Sequence, residues 1–147
     1  MNLIEDTNFE KARKKIREKK DVIFAGSDDE LNRKVLEKER ISVLLIRQKD
    51  RRDFSKQRNS GFNSVMAKAA KKNDVSIGIS LDEILISRGK EKTGILARTM
   101  QNIVLCNKNK LKMKFIIENS KNQREIRDLK ALGLVLGMPT WMASNVH

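Results

Sequence analysis

The sequence is poor in the residues that build redox and zinc sites. It has one Cys, one Pro and one His, His147, in 147 residues. A single Cys excludes an internal disulfide framework and favours a reducing compartment, so we expect a cytoplasmic protein. One His and one Cys also exclude the zinc sites that are built from these two ligand types. A nucleophilic serine would have no histidine base in the body of the chain.

Aromatic residues and long apolar runs are scarce as well. The chain has no Tyr and one Trp, and aromatic residues make up 4 % of it. Recognition of bases by an aromatic stacking platform is therefore not expected. No segment approaches the roughly 20 apolar residues that a membrane-spanning helix needs, and no secretory apolar segment follows Met1.

What the sequence has in excess is positive charge. Lys and Arg number 32 against 19 Asp and Glu, a formal net charge of +13. A polyanionic partner is the first hypothesis and a membrane surface the second. Membrane binding needs a broad apolar face, and the basic segment 8–20 offers only Phe9, Ala12 and Ile16. The length predicts a single domain over residues 1–147.

Short apolar runs alternate with segments of helical spacing. The predicted strands lie at 2–4, 22–26, 41–46, 75–81 and 113–117. The predicted helices lie at 8–20, 62–73, 82–85, 95–107 and 127–138, and a further helix starts at 27–30, ahead of Leu31. Thr7 is the predicted N-cap of the first helix, a polar break is predicted at 87–94, and Pro139 is predicted to end the last helix. Repeated βα units predict an α/β fold with a parallel sheet and right-handed crossovers. Five strands do not fill an eight-stranded barrel.

The most informative segment is residues 47–58, which we call the basic loop. It has no periodicity and contains Arg47, Lys49, Arg51, Arg52, Lys56 and Arg58. It follows a strand, on the side of a parallel sheet where ligands usually bind, so we expect it to meet a polyanion.

Acidic residues and the single cysteine have simpler interpretations. Asp28, Asp29 and Glu30 form either a metal cluster or a helix cap, and their place between a strand and a helix favours the cap. Asp82 and Glu83 occupy the same kind of position. Cys106 lies near the apolar side of a helix, which favours packing over chemistry.

Several segments in order resemble one family. RNSGFNSVMAK at 58–68 and KNDVSIG at 72–78 resemble the core of archaeal ribonuclease P protein component 3, whose eukaryotic counterpart is the thirty-kilodalton ribonuclease P subunit. MQNIVLC at 100–106, RDL at 127–129 and LGLVLGM at 132–138 resemble later segments of the same family. The resemblance covers most of residues 20–138, and the order and spacing of the segments make it specific.

The resemblance implies a shortened TIM-barrel-like (PHP-barrel-like) fold. Family members are longer, so it further implies that the chain begins within the third βα unit and lacks the N-terminal strands. A helix, a partner protein, RNA or a second copy would then cover the sheet edges. Ser64 replaces a family His. The related phosphoesterase barrels hold metal through several His, which this chain lacks, so the fold does not carry their catalysis with it.

The function that the resemblance implies is that of a protein subunit of the ribonuclease P endoribonuclease, which removes the 5′ leader of precursor tRNA. The RNA subunit would bind Mg²⁺ and perform the cleavage, and the chain would bind no cofactor. Implied partners are the ribonuclease P RNA, component 2, in an arrangement that is often a dimer of heterodimers, other ribonuclease P proteins and, indirectly, precursor tRNA.

Two other functions stay open, a general RNA-binding chaperone and a phosphoesterase-like enzyme derived from the same barrel. We expect RNA contacts from basic residues, some of which could instead form structural ion pairs. These residues are Arg33, Arg47, Lys49, Arg51, Arg52, Lys56, Arg58, Lys68, Arg98, Arg124 and Arg127.

Overall fold

A computed structural model describes residues 1–147 and contains one parallel sheet whose strands lie side by side in chain order. The strands are β1 (Asn2–Asp6), β2 (Val22–Gly26), β3 (Val43–Leu45), β4 (Ser76–Ser80) and β5 (Met113–Ile116). The helices are α1 (Phe9–Arg17), α2 (Asp29–Lys38), α3 (Ser64–Lys72), α4 (Leu81–Ile86), α5 (Gly89–Lys108), α6 (Ile126–Val135) and α7 (Thr140–Ala143). The predicted α/β class and parallel sheet are confirmed.

The two faces of the sheet have different neighbours. Strand residues such as Phe24, Leu44 and Ile77 belong to the main core, together with residues of the helices. Alternate strand residues form a second cluster that contains no helical residue, made of Ile23, Ala25, Val43, Leu45 and Ile116. Because side chains alternate between the faces of a strand, one face packs under the helices while the other forms the concave side of a partial barrel.

Gly78 of β4 allows this sheet to curl tightly. A Cβ at this position would lie 3.0 Å from Val43 Cγ1 and 3.1 Å from Ile116 Cγ1. Side chains of β3 and β5 thus close over the glycine, and Val43 and Ile116 become buried although no further strand faces them. The short βα repeat therefore forms an apolar concave layer of its own.

The edge strand β5 is partly covered by the end of the same chain. The Phe115 N–H donates a hydrogen bond to the Val146 carbonyl at 2.9 Å, and Val146 is buried. The opposite edge strand, β1, pairs only with β2. The irregular segment after α7 thus covers part of the β5 edge, which is not one of the expected alternatives.

Several predicted helix ends are corrected. The N-cap of α1 is Asn8 rather than Thr7, because the Asn8 side chain accepts the Lys11 N–H at 3.1 Å. The helix ends at Arg17, before the predicted position 20. The N-cap of α4 is Ser80, whose hydroxyl accepts the Glu83 N–H.

The segment 87–94 is not a long break, because α5 already begins at Gly89. Toward the C-terminus, α6 ends at Val135, and Gly137 follows with a φ of +104°. Pro139 therefore does not end α6; it is the N-cap of α7. None of the helices combines the length and the apolar character that a transmembrane span requires.

Candidate nucleic-acid interface

The carboxyl ends of β1, β2 and β3 border an open cleft of about 780 Å³. Its lining carries both signs of charge, with Ala25 as its single hydrophobic residue. The charged residues are Glu5, Asp6, Asp28, Asp29, Arg47, Lys49, Asp50, Arg51 and Arg52. A cleft of this kind suits a polar ligand, but its carboxylates reduce the attraction that its cations exert on a polyanion.

Arg51 is held in the wall of the cleft. Its Nη1 and Nη2 donate to the two carboxylate oxygens of Asp29 at 2.9 and 2.7 Å, and its Nε donates to the Arg47 carbonyl at 2.7 Å. The bidentate arrangement is the strong form of an Arg–carboxylate pair. Gly61, with a φ of +76°, packs against this guanidinium, since a Cβ there would lie 2.4 Å from Arg51 Nη2. Arg51 therefore fixes the basic loop against the start of α2.

Arg47 joins the two edges of the sheet. Its guanidinium pairs with Glu5, near the end of β1, and with Glu118, two residues past the end of β5. Partial burial disfavours the charged form, but the carboxylates of Glu118 and Glu5 outweigh it and raise the pKa of Arg47 above its usual value. Arg47 thus forms structural ion pairs, the alternative left open for the predicted RNA contacts, and its single positive charge is shared between two carboxylates.

A buried polar network lies beneath the basic loop. Arg98 of α5 is 5 % exposed. Its Nε donates to Gln48 Oε1 at 3.1 Å, and its Nη2 donates to the Gln48 carbonyl at 3.0 Å. Gln48 Nε2 and Asn102 Nδ2 both donate to the Ser60 carbonyl, at 2.8 and 3.1 Å. Arg98 also lies 3.4 Å from Asp53. Arg98 is therefore corrected from an RNA contact to a structural residue.

Asp82 and Glu83 hold two loops at the same end of the sheet, a role that the sequence did not indicate. Glu83 accepts the backbone N–H groups of residues 48–49, at 2.9 and 3.0 Å. Asp82 accepts those of residues 118–119, at 2.7 and 3.1 Å. Burial favours the neutral acid, but hydrogen bonds from Asn122 and the backbone prevail and lower the pKa of Asp82. Only the sheet order could have indicated these contacts, because it makes β3 and β5 the neighbours of β4.

The other predicted contact residues lie on the surface. Arg33 is exposed and pairs with Glu37 on α2 at 2.9 Å. The remaining seven are exposed and form no ion pair: Lys49, Arg52, Lys56, Arg58, Lys68, Arg124 and Arg127. Four of them lie in the basic loop, and RNA contact by all seven stays a prediction.

The residues with catalytic potential are engaged in structure. Asp28 caps α2 by accepting the Leu31 N–H at 2.7 Å, which confirms the cap prediction. Cys106 is buried, and burial raises the pKa of its thiol to about 12. No group of three or more His, Cys, Asp or Glu side chains is placed to hold a metal ion. What the arrangement offers a ligand is charge and hydrogen bonding.

Known proteins with similar sequences share one description. No protein-family model matches the chain. Ribonuclease P protein component 3 of Methanosarcina mazei and that of Methanosarcina acetivorans are each 37 % identical over 95 residues, which are 64 % of this chain and 37 % of the relative. Component 3 of Methanococcoides burtonii is 29 % identical over 128 residues, which are 84 % of this chain and 50 % of the relative.

A solved structure shares the fold. A chain in the cryo-EM structure of archaeal ribonuclease P with mature tRNA matches with a TM-score of 0.77 at 19 % identity, over 97 % of this chain and 62 % of that one. The chain spans half or less of the length of these curated relatives. The chain is thus similar in sequence to ribonuclease P protein component 3 over part of that protein's length, and it shares its fold with a chain of the archaeal ribonuclease P structure.

Proposed function

We propose that the chain is a protein subunit of ribonuclease P, which binds and stabilises the catalytic RNA for removal of the 5′ leader from precursor tRNA. The observation that carries the proposal is the 37 % identity to component 3 over 95 residues. The fold match over 97 % of the chain supports it, because it extends the likeness beyond the aligned segment.

The charge of the chain supports a role in screening phosphates. With a net charge of +13, the protein can approach a folded RNA and reduce repulsion between its phosphates. We assign the first contacts to the exposed cations of the basic loop, Lys49, Arg52, Lys56 and Arg58, and to Lys68, Arg124 and Arg127. Their lack of carboxylate partners leaves their charge free for phosphates.

Catalysis and Mg²⁺ belong to the RNA in this proposal. Cys106 is a buried thiol with a raised pKa, which makes it a poor nucleophile. Asp28 and Asp29 are committed to a helix cap and to Arg51. These commitments support a binding role for the chain, with cleavage carried out elsewhere in the particle.

Component 2 is the protein partner that we propose, in a dimer of heterodimers. An apolar strip on α5 supports a protein contact, since Met100 is 45 % and Val104 69 % exposed. The strip borders a groove of about 620 Å³ that Arg58 and Lys108 flank. Exposed apolar side chains beside cations are typical of a protein interface.

Reconstitution tests the proposal. Nuclease-cleared protein alone should cleave no precursor tRNA, with or without Mg²⁺. Added to archaeal ribonuclease P RNA and component 2, it should increase leader removal at limiting Mg²⁺, and Val104→Asp should weaken the effect of component 2. Cleavage by the RNA-free protein would favour the phosphoesterase alternative. Equal binding to unrelated structured RNAs, without any gain in cleavage, would favour the chaperone.

A further inference from the structure

Basic residues accumulate at the amino ends of the strands, opposite the basic loop. The connections 18–21, 38–40, 71–74 and 108–112 lead from helices into β2, β3, β4 and β5. Together they contain nine Lys and Arg against four Asp and Glu. The nine are Lys19, Lys20, Lys38, Arg40, Lys71, Lys72, Lys108, Lys110 and Lys112, and we call them the amino-end surface. All nine are exposed, and none forms an ion pair.

The four connections form one continuous surface. Asn73 Nδ2 donates to the Leu36 carbonyl at 2.9 Å, which ties the end of α3 to the end of α2. Lys71 Nζ donates to the Lys110 carbonyl at 3.1 Å, which ties the third connection to the fourth. The four strands are sheet neighbours. At about 4.8 Å between neighbouring strands, their starts span about 14 Å.

The opposite end of the sheet has no such surplus. The connections that leave the strands, with the first residues of the helices they enter, contain nine Lys and Arg but eleven Asp and Glu. These segments are 6–10, 27–30, 46–65, 80–83 and 117–127. Arg47 and Arg51 are moreover already paired. The two ends carry equal numbers of cations, and the difference lies in the carboxylates.

Helix dipoles account for only part of the amino-end surface. The negative end of a helix dipole favours cations in the last turn of the helix. This effect accounts for four of the nine cations: Lys38, Lys71, Lys72 and Lys108. The other five cations lie beyond the helix ends, where this effect fades. Glu39, one of the four acidic residues, is buried and paired with Arg13 and Arg17. Most of the positive charge here therefore lacks a partner within the fold.

We propose that the amino-end surface binds the phosphate backbone of RNA, as a contact region separate from the basic loop. The inference rests on the proposed function, to which it adds a second RNA-facing end. Eight of the nine cations are Lys, which act as point charges on phosphates rather than as readers of base edges. A membrane surface fits less well, because the only apolar residue in these connections, Leu111, is buried.

The test compares three triple variants that remove equal charge. The amino-end variant carries Lys20→Gln, Lys72→Gln and Lys112→Gln, one in each of three connections of the amino-end surface. The basic-loop variant carries Lys49→Gln, Arg52→Gln and Lys56→Gln. The charge control is Lys11→Gln, Lys14→Gln and Lys90→Gln, at exposed positions outside both regions. Thermal unfolding checks that each variant keeps the fold. Binding to transcribed archaeal ribonuclease P RNA is then measured over a series of salt concentrations.

The amino-end variant should bind more weakly, and its log–log salt slope should fall by about 2–3, at about 0.7–0.9 per phosphate contact. A loss no larger than that of the charge control, while the wild type still binds, would overturn this inference and leave the proposed function standing. If the wild type shows no salt-dependent RNA binding, both this inference and the proposed function are wrong. If the amino-end lysines are needed for binding phosphatidylserine vesicles but not RNA, the surface is a membrane contact and the inference is wrong.

Discussion

Replacing Arg98 by methionine removes the buried cation that fastens the basic loop to α5. Methionine retains much of the aliphatic volume, so packing changes little. The buried oxygens of Gln48 lose two hydrogen bonds from a charged donor, at 3.1 and 3.0 Å. Asp53 loses its ion pair at 3.4 Å.

The expected cost follows from these contacts. Hydrogen bonds to a charged group are worth about 1.5–3 kcal/mol each, and their loss leaves buried acceptors unsatisfied. The pair with Asp53 adds little, because that side chain is 38 % exposed. Since the variant no longer buries a guanidinium, part of the loss is recovered. We expect a decrease of about 3 kcal/mol in the free energy of unfolding, which lowers the Tm by roughly 10 °C.

Equilibrium urea unfolding measures the decrease, and Arg52→Met is the matched control. Arg52 is exposed and unpaired, so this variant should stay within about 0.5 kcal/mol of the wild type. Limited trypsin digestion should cut the basic loop faster in Arg98→Met, because the loop has lost its attachment. A free energy of unfolding within about 1 kcal/mol of the wild type, with unchanged digestion, would refute the structural role of Arg98.

Three further outcomes are expected. In urea unfolding, Gly61→Ala should lower the free energy of unfolding more than Gly89→Ala does. Both glycines have positive φ, but only Gly61 has neighbours within 4 Å of an added Cβ. Equal decreases would contradict the packing of Gly61 against Arg51. The pKa of Asp82 is lowered in the folded protein, so its carboxylate stabilises the fold above pH 3.8, its ordinary pKa, and this stability is lost as the pH falls through the folded pKa. Asp82→Asn should therefore be less stable than the wild type at neutral pH, and its Tm should change less with pH in acid. Parallel Tm profiles of the two proteins would contradict this. Ribonuclease P RNA at about 100 times its Kd should stabilise the chain by roughly 2.7 kcal/mol, seen as a higher Tm, whereas an unchanged Tm would mean no specific binding.

Local patterns sufficed for the order of the five strands and of α1 to α6, but not for the short α7. Short, mostly apolar runs such as 22–26 and 113–117 predict strands directly, and the structure places strands there. The start of α5 was predicted six residues late because two glycines, Gly89 and Gly94, indicate a break. Within the helix, Gly94 leaves room for the Arg98 guanidinium, since an added Cβ would lie 3.1 Å from Nη1. A glycine that fits a distant side chain cannot be told from a helix breaker by local sequence.

The site was less predictable, because its contacts join residues far apart in the chain. Arg47 pairs with a carboxylate 42 residues before it and with another 71 residues after it. Arg98 reaches Gln48 across 50 residues. A local charge pattern shows that a cation is present but not whether a distant carboxylate neutralises it. For the same reason, the surplus at the amino-end surface emerges only once the sheet brings four connections together.

Purification of the chain with its RNA from its own cells tests the central claim most directly. The RNA that remains bound after a moderate salt wash is sequenced and assayed for removal of the 5′ leader from precursor tRNA. Our account predicts one dominant RNA, the ribonuclease P RNA, together with leader-removing activity that depends on that RNA. A heterogeneous mixture of RNAs with no such activity would contradict it.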